Sequence, residues 1–268
     1  MLDVNGKVAI VTGAGSVGPG WGNGKATATL LARQGASVFL VDINEAAVQE
    51  TRRIIEEEGH TAVVHRCDMM QAAEVQSMVR ACTDRFKRID ILVNNVGGSA
   101  PGDPVTMPEE VWDRQIDFNL KTAFLGCKYV VPVMQAQGKG AIVNVSSVAG
   151  LRNDGHGGRQ HVAYSASKAA VIQFSRATAG AFIKQGIRCN TVVPGLMHTP
   201  LVEQRLAKTV AGGDAEALIA SRNARCPMGR MGTAWDVAQA VLFLVSEEAN
   251  YITGTEIVVD GGLILASP

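Results

Sequence analysis

Seven short runs rich in β-branched and apolar residues recur along this 268-residue chain, and the stretches between them carry the spacing of helices. The runs are Lys7–Thr12, Ser37–Asp42, Thr61–Arg66, Asp90–Asn94, Ala141–Ser146, Arg188–Val193 and Glu256–Val259. None alternates strictly between apolar and polar residues, as expected of strands covered on both faces. Gly24–Gln34, Asn44–Glu58, Ala72–Phe86, Pro108–Gln137, Tyr164–Gln185 and Ala234–Val245 read as the intervening helices. Strand and helix in repeated alternation predict an α/β fold, a doubly wound parallel sheet flanked by helices on both faces. No low-complexity linker or internal repeat divides the chain, so one domain over residues 1–268 is the economical reading.

Composition narrows the function classes. Hydrophobic residues make up 47% and charged residues 19%, enough for a sizeable core and unlike a disordered chain. The formal net charge is zero, so no global basic field points to nucleic acid or an anionic membrane. No apolar run approaches the ~18 residues that span a bilayer, and the first residues do not read as a secretion signal. A soluble, cytoplasmic protein is expected. The five cysteines are odd in number and nowhere spaced as CxxC, so buried small apolar residues are expected, with neither a disulfide framework nor a metal site.

The first strand runs into Gly13-Ala14-Gly15-Ser16-Val17-Gly18-Pro19-Gly20-Trp21-Gly22-Asn23-Gly24, then a helix. That setting suits a dinucleotide pyrophosphate: a helix N-terminus offers free N–H groups, and glycines let phosphate approach the backbone. A flexible turn is the plainer alternative. Asp42 closes the second strand 18 residues after Gly24. A carboxylate near this position accepts from the adenosine ribose hydroxyls of NAD and repels the 2′-phosphate of NADP, so NAD is expected over NADP. Lys25 is a nearby cation that could soften this preference, or simply face solvent.

Tyr164 and Lys168 stand four apart on a helical stretch and share one face. An ammonium beside a phenol favours the phenolate, which fits Tyr164 to acid/base work. Alone, such a pair also fits an ordinary surface helix. Its setting includes Ser146-Ser147 after the fifth strand, Asn94-Asn95-Val96-Gly97 after the fourth, Asn119 on a helix, and Pro194-Gly195 leading to Thr199. Strand carboxyl ends are where a doubly wound sheet binds ligands.

Taken together with Asp68 and Asp260-Gly261-Gly262, these motifs resemble those of the short-chain dehydrogenases/reductases, in the compact branch with a Rossmann-like, seven-stranded parallel sheet. The resemblance covers essentially the whole chain. It implies an oxidoreductase that moves a hydride between NAD and a secondary alcohol or ketone. Other reactions on the same fold are a dehydratase, an epimerase or a double-bond reductase; a non-catalytic NAD-binding protein is a remoter alternative. By position, Tyr164 resembles the general acid/base, Lys168 the residue that lowers its pKa and bonds the nicotinamide ribose, and Ser147, rather than Ser146, the holder of the substrate oxygen. Asn119 resembles the residue that positions a relay water. Gly13, Ser16, Gly22, Asn23, Gly24, Asp42, Asp68, Met69, Asn94, Val96, Gly97, Pro194, Gly195, Met197 and Thr199 would line the cofactor. A substrate lid is implied at about residues 196–226, with helical stretches at Leu201–Leu206 and Ala215–Ala224. A homo-oligomer, a tetramer in most of the family, is implied as well, with Val171, Phe174 and Phe182 among its apolar contacts.

The chain departs from the family pattern twice. Val17–Trp21 inserts five residues in the glycine loop; it either lengthens the pyrophosphate clamp, carries Trp21 to a neighbouring surface or forms a bulge. Ser147 and Tyr164 are 17 apart where the family more often has about 13, and the longer loop holds Arg152, His156, Arg159 and His161. These cations, with His198 beyond the sixth strand, are candidate contacts for an anionic or highly polar substrate; a solvated glycine-rich loop is the alternative.

Overall fold

The structure is a computed structural model that describes residues 2–152, 160–207 and 212–266. Seven parallel strands form one sheet in the order β3-β2-β1-β4-β5-β6-β9. They are β1 (Val8–Thr12), β2 (Ser37–Asp42), β3 (Ala62–Arg66), β4 (Ile91–Asn94), β5 (Gly140–Val145), β6 (Ile187–Pro194) and β9 (Glu256–Val259). The remaining two, β7 (Met197–His198) and β8 (Gly232–Thr233), pair only with each other. The seven expected strands are therefore the seven of the main sheet, each within a residue of its predicted ends.

Helices cover both faces. On one side, α1 (Asn23–Arg33), α2 (Glu45–Glu57) and the helix Ala234–Val245, here α8, close over β1, β2 and β6. On the other, α3 (Ala72–Phe86), α5 (Thr122–Gln137) and α6 (Val162–Phe182) cover Ile10, Phe39, Leu92 and Ile142. Central strands with both faces covered have no polar side to show, which is why their sequences lack alternation. Phe39, Ile10 and Leu92 are each at most 1% exposed, and burying each side chain fully is worth about 1.5–3 kcal/mol. The five cysteines are free and buried. Burial pushes the Cys67, Cys82 and Cys127 thiols up to about 12, so they pack as small neutral groups.

Two expected helices differ in detail. Pro108–Gln137 is α4 (Glu109–Ile116) and α5 joined by one π-helical turn, Asp117–Lys121. The expected lid helix at Leu201–Leu206 is a π-helical turn, Val202–Leu206, and is followed by α7 (Ala215–Arg225). No helix among the described residues is long and apolar enough to cross a membrane.

Candidate active site

The chain builds the sheet outward from β1 to β3, then returns to the middle for β4. Between β1 and β4 the strand order reverses, and a crevice opens at the carboxyl ends there. Asn95 pins its two walls together. Its backbone N–H donates to Thr12 Oγ1 at 3.1 Å, and its amide donates to the Thr12 and Gly13 carbonyls at 3.2 and 3.1 Å.

The glycine loop lies over this crevice. Helix α1 begins at Asn23 with Gly22 as a cap that has no side-chain acceptor, so its first N–H groups look into the loop. A Cβ on Gly24 would fall 1.9 Å from the Gly13 carbonyl oxygen, so only glycine lets α1 lie this close to the end of β1. Among the described residues, the buried Ser16 Oγ and Asn23 Oδ1 have no hydrogen-bond partner. Orphaned polar atoms beside unsatisfied helix N–H groups are the donor set a pyrophosphate takes up. At the end of β2, Asp42 Oδ2 accepts from the Gly15 N–H and Oδ1 from the Asn44 N–H, both at 2.9 Å. The carboxylate thus stands over the loop. The loop residues and Asp42 therefore fit a dinucleotide.

Further along the crevice, α6 brings in Tyr164 and Lys168 one turn apart. The Lys168 ammonium is buried, donates to the Val145 carbonyl at 2.8 Å, and lies 5.9 Å from the centre of the Tyr164 ring. Burial pulls its pKa down to about 8. Gly97 forms the floor between this ammonium and Asn119. An added Cβ there would sit 2.7 Å from Asn119 Oδ1 and 2.9 Å from Lys168 Nζ.

Asn119 is 1% exposed and sits within the π-helical turn. Its amide donates to the Gly98 and Gln115 carbonyls, and its Oδ1 accepts from the Gly98 N–H at 2.9 Å. Single π turns inside helices frequently mark functional positions. Of the two serines after β5, Ser146 is turned inward and donates to the Lys168 carbonyl at 2.7 Å. Ser147 is half-buried, and its hydroxyl accepts only the weak 3.2 Å bond from Ala149 N–H among the described contacts.

The comparisons with known proteins agree with this architecture. A family profile described as Enoyl-(Acyl carrier protein) reductase matches residues 19–264. The 2-(R)-hydroxypropyl-CoM dehydrogenase of Xanthobacter autotrophicus is 39% identical, over 95% of this chain and 97% of its own. The 3-oxoacyl-[acyl-carrier-protein] reductase of Thermotoga maritima is 37% identical, over 98% and 100%. A solved short-chain dehydrogenase/reductase from Burkholderia xenovorans superposes with a TM-score of 0.93 at 47% identity, covering 98% of each chain. The chain is a short-chain dehydrogenase/reductase. It is therefore an oxidoreductase of a family that works with a nicotinamide dinucleotide.

Several of this dehydrogenase/reductase's expected site residues have partners within the protein. The Asn94 amide points into the sheet, donating to Asn144 Oδ1 at 2.8 Å, so only its backbone is left to face the crevice. Asn144 in turn donates to Ser175 Oγ. Met69 and Met197 are buried in the core, at 3% and 7% exposure, and Val96 packs against it. Asp68 Oδ1 accepts from the Met70 N–H, holding the turn after β3. Gly195 abuts Asp260, where a Cβ would meet a Cβ at 2.6 Å. Pro194 ends β6, and the Thr199 carbonyl accepts from the Val202 N–H at 2.9 Å.

Arg152 has its partners far along the chain. Its guanidinium donates to the Leu263 and Ala266 carbonyls, so it ties down the C-terminal segment. Both bonds leave from Nη1, so they do not use the Nε and Nη2 donors of the guanidinium. His198 is exposed and 3.2 Å from Glu203, a carboxylate that competes with any anionic ligand. His156 and Arg159 lie outside the described residues.

Sequence reasoning missed Asn95 and Gln115. Asn95 was visible as the second residue of its motif. Gln115, whose side chain accepts from the Ala100 N–H at 3.1 Å, carries no signal of its own. A separate cavity of about 490 Å³ opens at the opposite, amino-terminal edge of the sheet among Lys7, Asp90, Lys139, Arg188 and Glu247, and shares none of the crevice residues.

Proposed function

We propose that this oxidoreductase interconverts a secondary alcohol and a ketone with NAD. The observation that carries the reading is the buried Lys168 ammonium, set between the Val145 carbonyl, Gly97 and the Tyr164 ring. Gly13, Ser16, Gly22, Asn23 and Gly24 would hold the pyrophosphate, and Asp42 the adenosine ribose. Asp68, Met69 and the Asn94 backbone would serve the adenosine end. Val96, Gly97, Pro194, Gly195, Met197 and Thr199 would serve the nicotinamide end. When bound, the nicotinamide would supply the hydride-transfer chemistry at the alcohol or ketone carbon.

The chain's own residues manage the proton and the oxygen. In the oxidising direction the Tyr164 phenolate takes the hydroxyl proton, and in the reducing direction its phenol returns one. Lys168 keeps positive charge beside the phenolate that this exchange creates. Ser147 donates to the substrate oxygen, where charge develops, and its partial exposure suits it better than the inward-turned Ser146. Asn119, locked by its three hydrogen bonds, keeps the wall behind Lys168 in place and positions the relay water.

One specific observation favours a second reading. The matched family profile is described by reduction of an enoyl group, a carbon–carbon double bond. The relatives are named for carbonyl and alcohol chemistry instead, on a coenzyme M thioether, an acyl carrier and a keto-deoxy sugar acid. The test is absorbance at 340 nm with NAD or NADP and a panel of secondary alcohols, sugars and hydroxy acids, and with NADH and ketones or enoyl thioesters, with Tyr164→Phe alongside. NADH formation lost in that variant supports the proposal. NADH oxidation only with enoyl thioesters would overturn it in favour of the second reading. We also propose a homo-oligomer, supported by Phe124, 44% exposed, and Phe174, which meet edge to face on α5 and α6; light scattering reads its size.

A further inference from the structure

The inserted segment Val17–Trp21 is exposed at Val17, Pro19 and Gly20 but is not free of the rest of the chain. Its backbone lies against the segment that follows β6. A Cβ on Gly18 would fall 2.8 Å from Gln204 Cγ, and one on Gly20 would fall 3.2 Å from Pro200 Cγ. Gly20 also has a φ of +109°, which side-chain-bearing residues rarely adopt. Glycine at these two positions lets the loop backbone touch Pro200 and Gln204.

The segment ends in Trp21, which packs on Trp235 with ring centroids 4.7 Å apart and planes tilted by 55°. Two cations flank the pair. Lys25 Nζ is 5.1 Å from the Trp21 ring, and Arg33 Cζ is 5.0 Å from the Trp235 ring. Trp235 is the second residue of α8, directly after β8. Strand β8 is bridged to β7 through Met197–Gly232 and His198–Thr233, and the Gly232 N–H donates to the Leu196 carbonyl at 3.0 Å.

The insertion thus reaches both legs of the excursion between β6 and α8. It touches the outgoing leg directly at Pro200 and Gln204, and the returning leg through Trp235. The same five residues are continuous with Ser16 and Gly22, on either side of them in the glycine loop. Whatever orders the loop is mechanically linked to the excursion that carries Thr199.

We propose that Trp21 is a positioning residue and Val17–Trp21 a strut, through which dinucleotide in the glycine loop fixes the segment 196–207 over the substrate end of the crevice. This rests on the dinucleotide reading given above.

The test is hydrogen–deuterium exchange on the full chain with and without NADH, in wild type, Trp21→Leu and Gln204→Ala. In wild type, NADH slows exchange in both 13–24 and 199–207. In Trp21→Leu the protection of 13–24 persists, while that of 199–207 falls by about fivefold or more, the low end of coupling between sites. Equal protection of 199–207 in wild type and both variants would overturn the strut. Absence of NADH protection at 13–24 in wild type would instead strike the dinucleotide reading, and the strut with it. Gln204 is exposed, so its variant carries the same comparison should Trp21→Leu fail to fold.

Discussion

The Ser146 hydroxyl donates to the Lys168 carbonyl at 2.7 Å, across 22 residues of sequence. This bond joins the end of β5 to the first turns of α6 and commits one of two adjacent serines to the scaffold. Ser147→Ala is therefore expected to lower kcat by about 10²–10³, the usual loss of a donor at a developing oxyanion, with little change in Tm. Ser146→Ala is expected to cost about 1 kcal/mol of stability and to leave kcat within a few-fold. A kcat loss confined to Ser146→Ala would reverse the assignment.

Lys168 is buried, and burial holds its pKa near 8, well below the usual lysine range. Replacing it with Met is expected to cut turnover by about 10²–10⁴, the range of a proton-transfer partner. Lys168→Arg should not restore it, because a planar guanidinium does not fit the site of a point-like ammonium against Val145. The stability effect has a definite sign. Between about pH 8 and 10.5 the unfolded chain keeps the lysine proton and the folded chain releases it. Wild type should gain stability relative to Lys168→Met as pH rises through that window, and the difference should be flat below it. Thermal melts of both proteins at pH 7.5 and 10 measure this directly.

Asp42 is held by the Gly15 and Asn44 N–H groups, so its carboxylate cannot swing away from an incoming ribose. Asp42→Ala is expected to lower kcat/KM with NAD by about 10–100-fold, the cost of one or two charge-assisted hydrogen bonds. The same change should raise kcat/KM with NADP by relieving repulsion of its 2′-phosphate. Parallel titrations with the two cofactors decide it. Unchanged preference would remove Asp42 from the ribose site.

The sheet was legible because its strands are buried on both faces, so Lys7–Thr12 and Asp90–Asn94 could be little else than interior β runs. The glycine loop and the Tyr164–Lys168 pair were legible because short-range spacing on one element survives folding unchanged. The remainder depended on contacts that spacing does not encode. The π turn holding Asn119 is a local change of backbone hydrogen bonding that residue types do not specify, so Pro108–Gln137 reads as one continuous helix. Arg152 was legible as a candidate substrate contact, but its bonds to Leu263 and Ala266, 111 and 114 residues away, were not. Trp21 was recognised as part of an insertion, but its partner Trp235 lies more than 200 residues on and can be found only in three dimensions.

Two glycines test how tightly the crevice is built. At Gly97 an added Cβ would stand 2.7 Å from Asn119 Oδ1 and 2.9 Å from Lys168 Nζ. Asn119 cannot yield, since its amide is bonded to Gly98 and Gln115, so the displacement falls on Lys168. Gly97→Ala is expected to cost about 1–3 kcal/mol, as overpacking does. It should also lower kcat by at least about tenfold, because a misplaced catalytic group loses rate steeply. Gly180, on α6 but facing open space, is the control. Gly180→Ala removes a flexible residue from a helix without a clash and should stabilise by about 0.5–1 kcal/mol with kcat unchanged. If both substitutions left kcat untouched, the packing of Lys168 against Gly97 would have no bearing on the chemistry, and the role given to that lysine would have to be withdrawn.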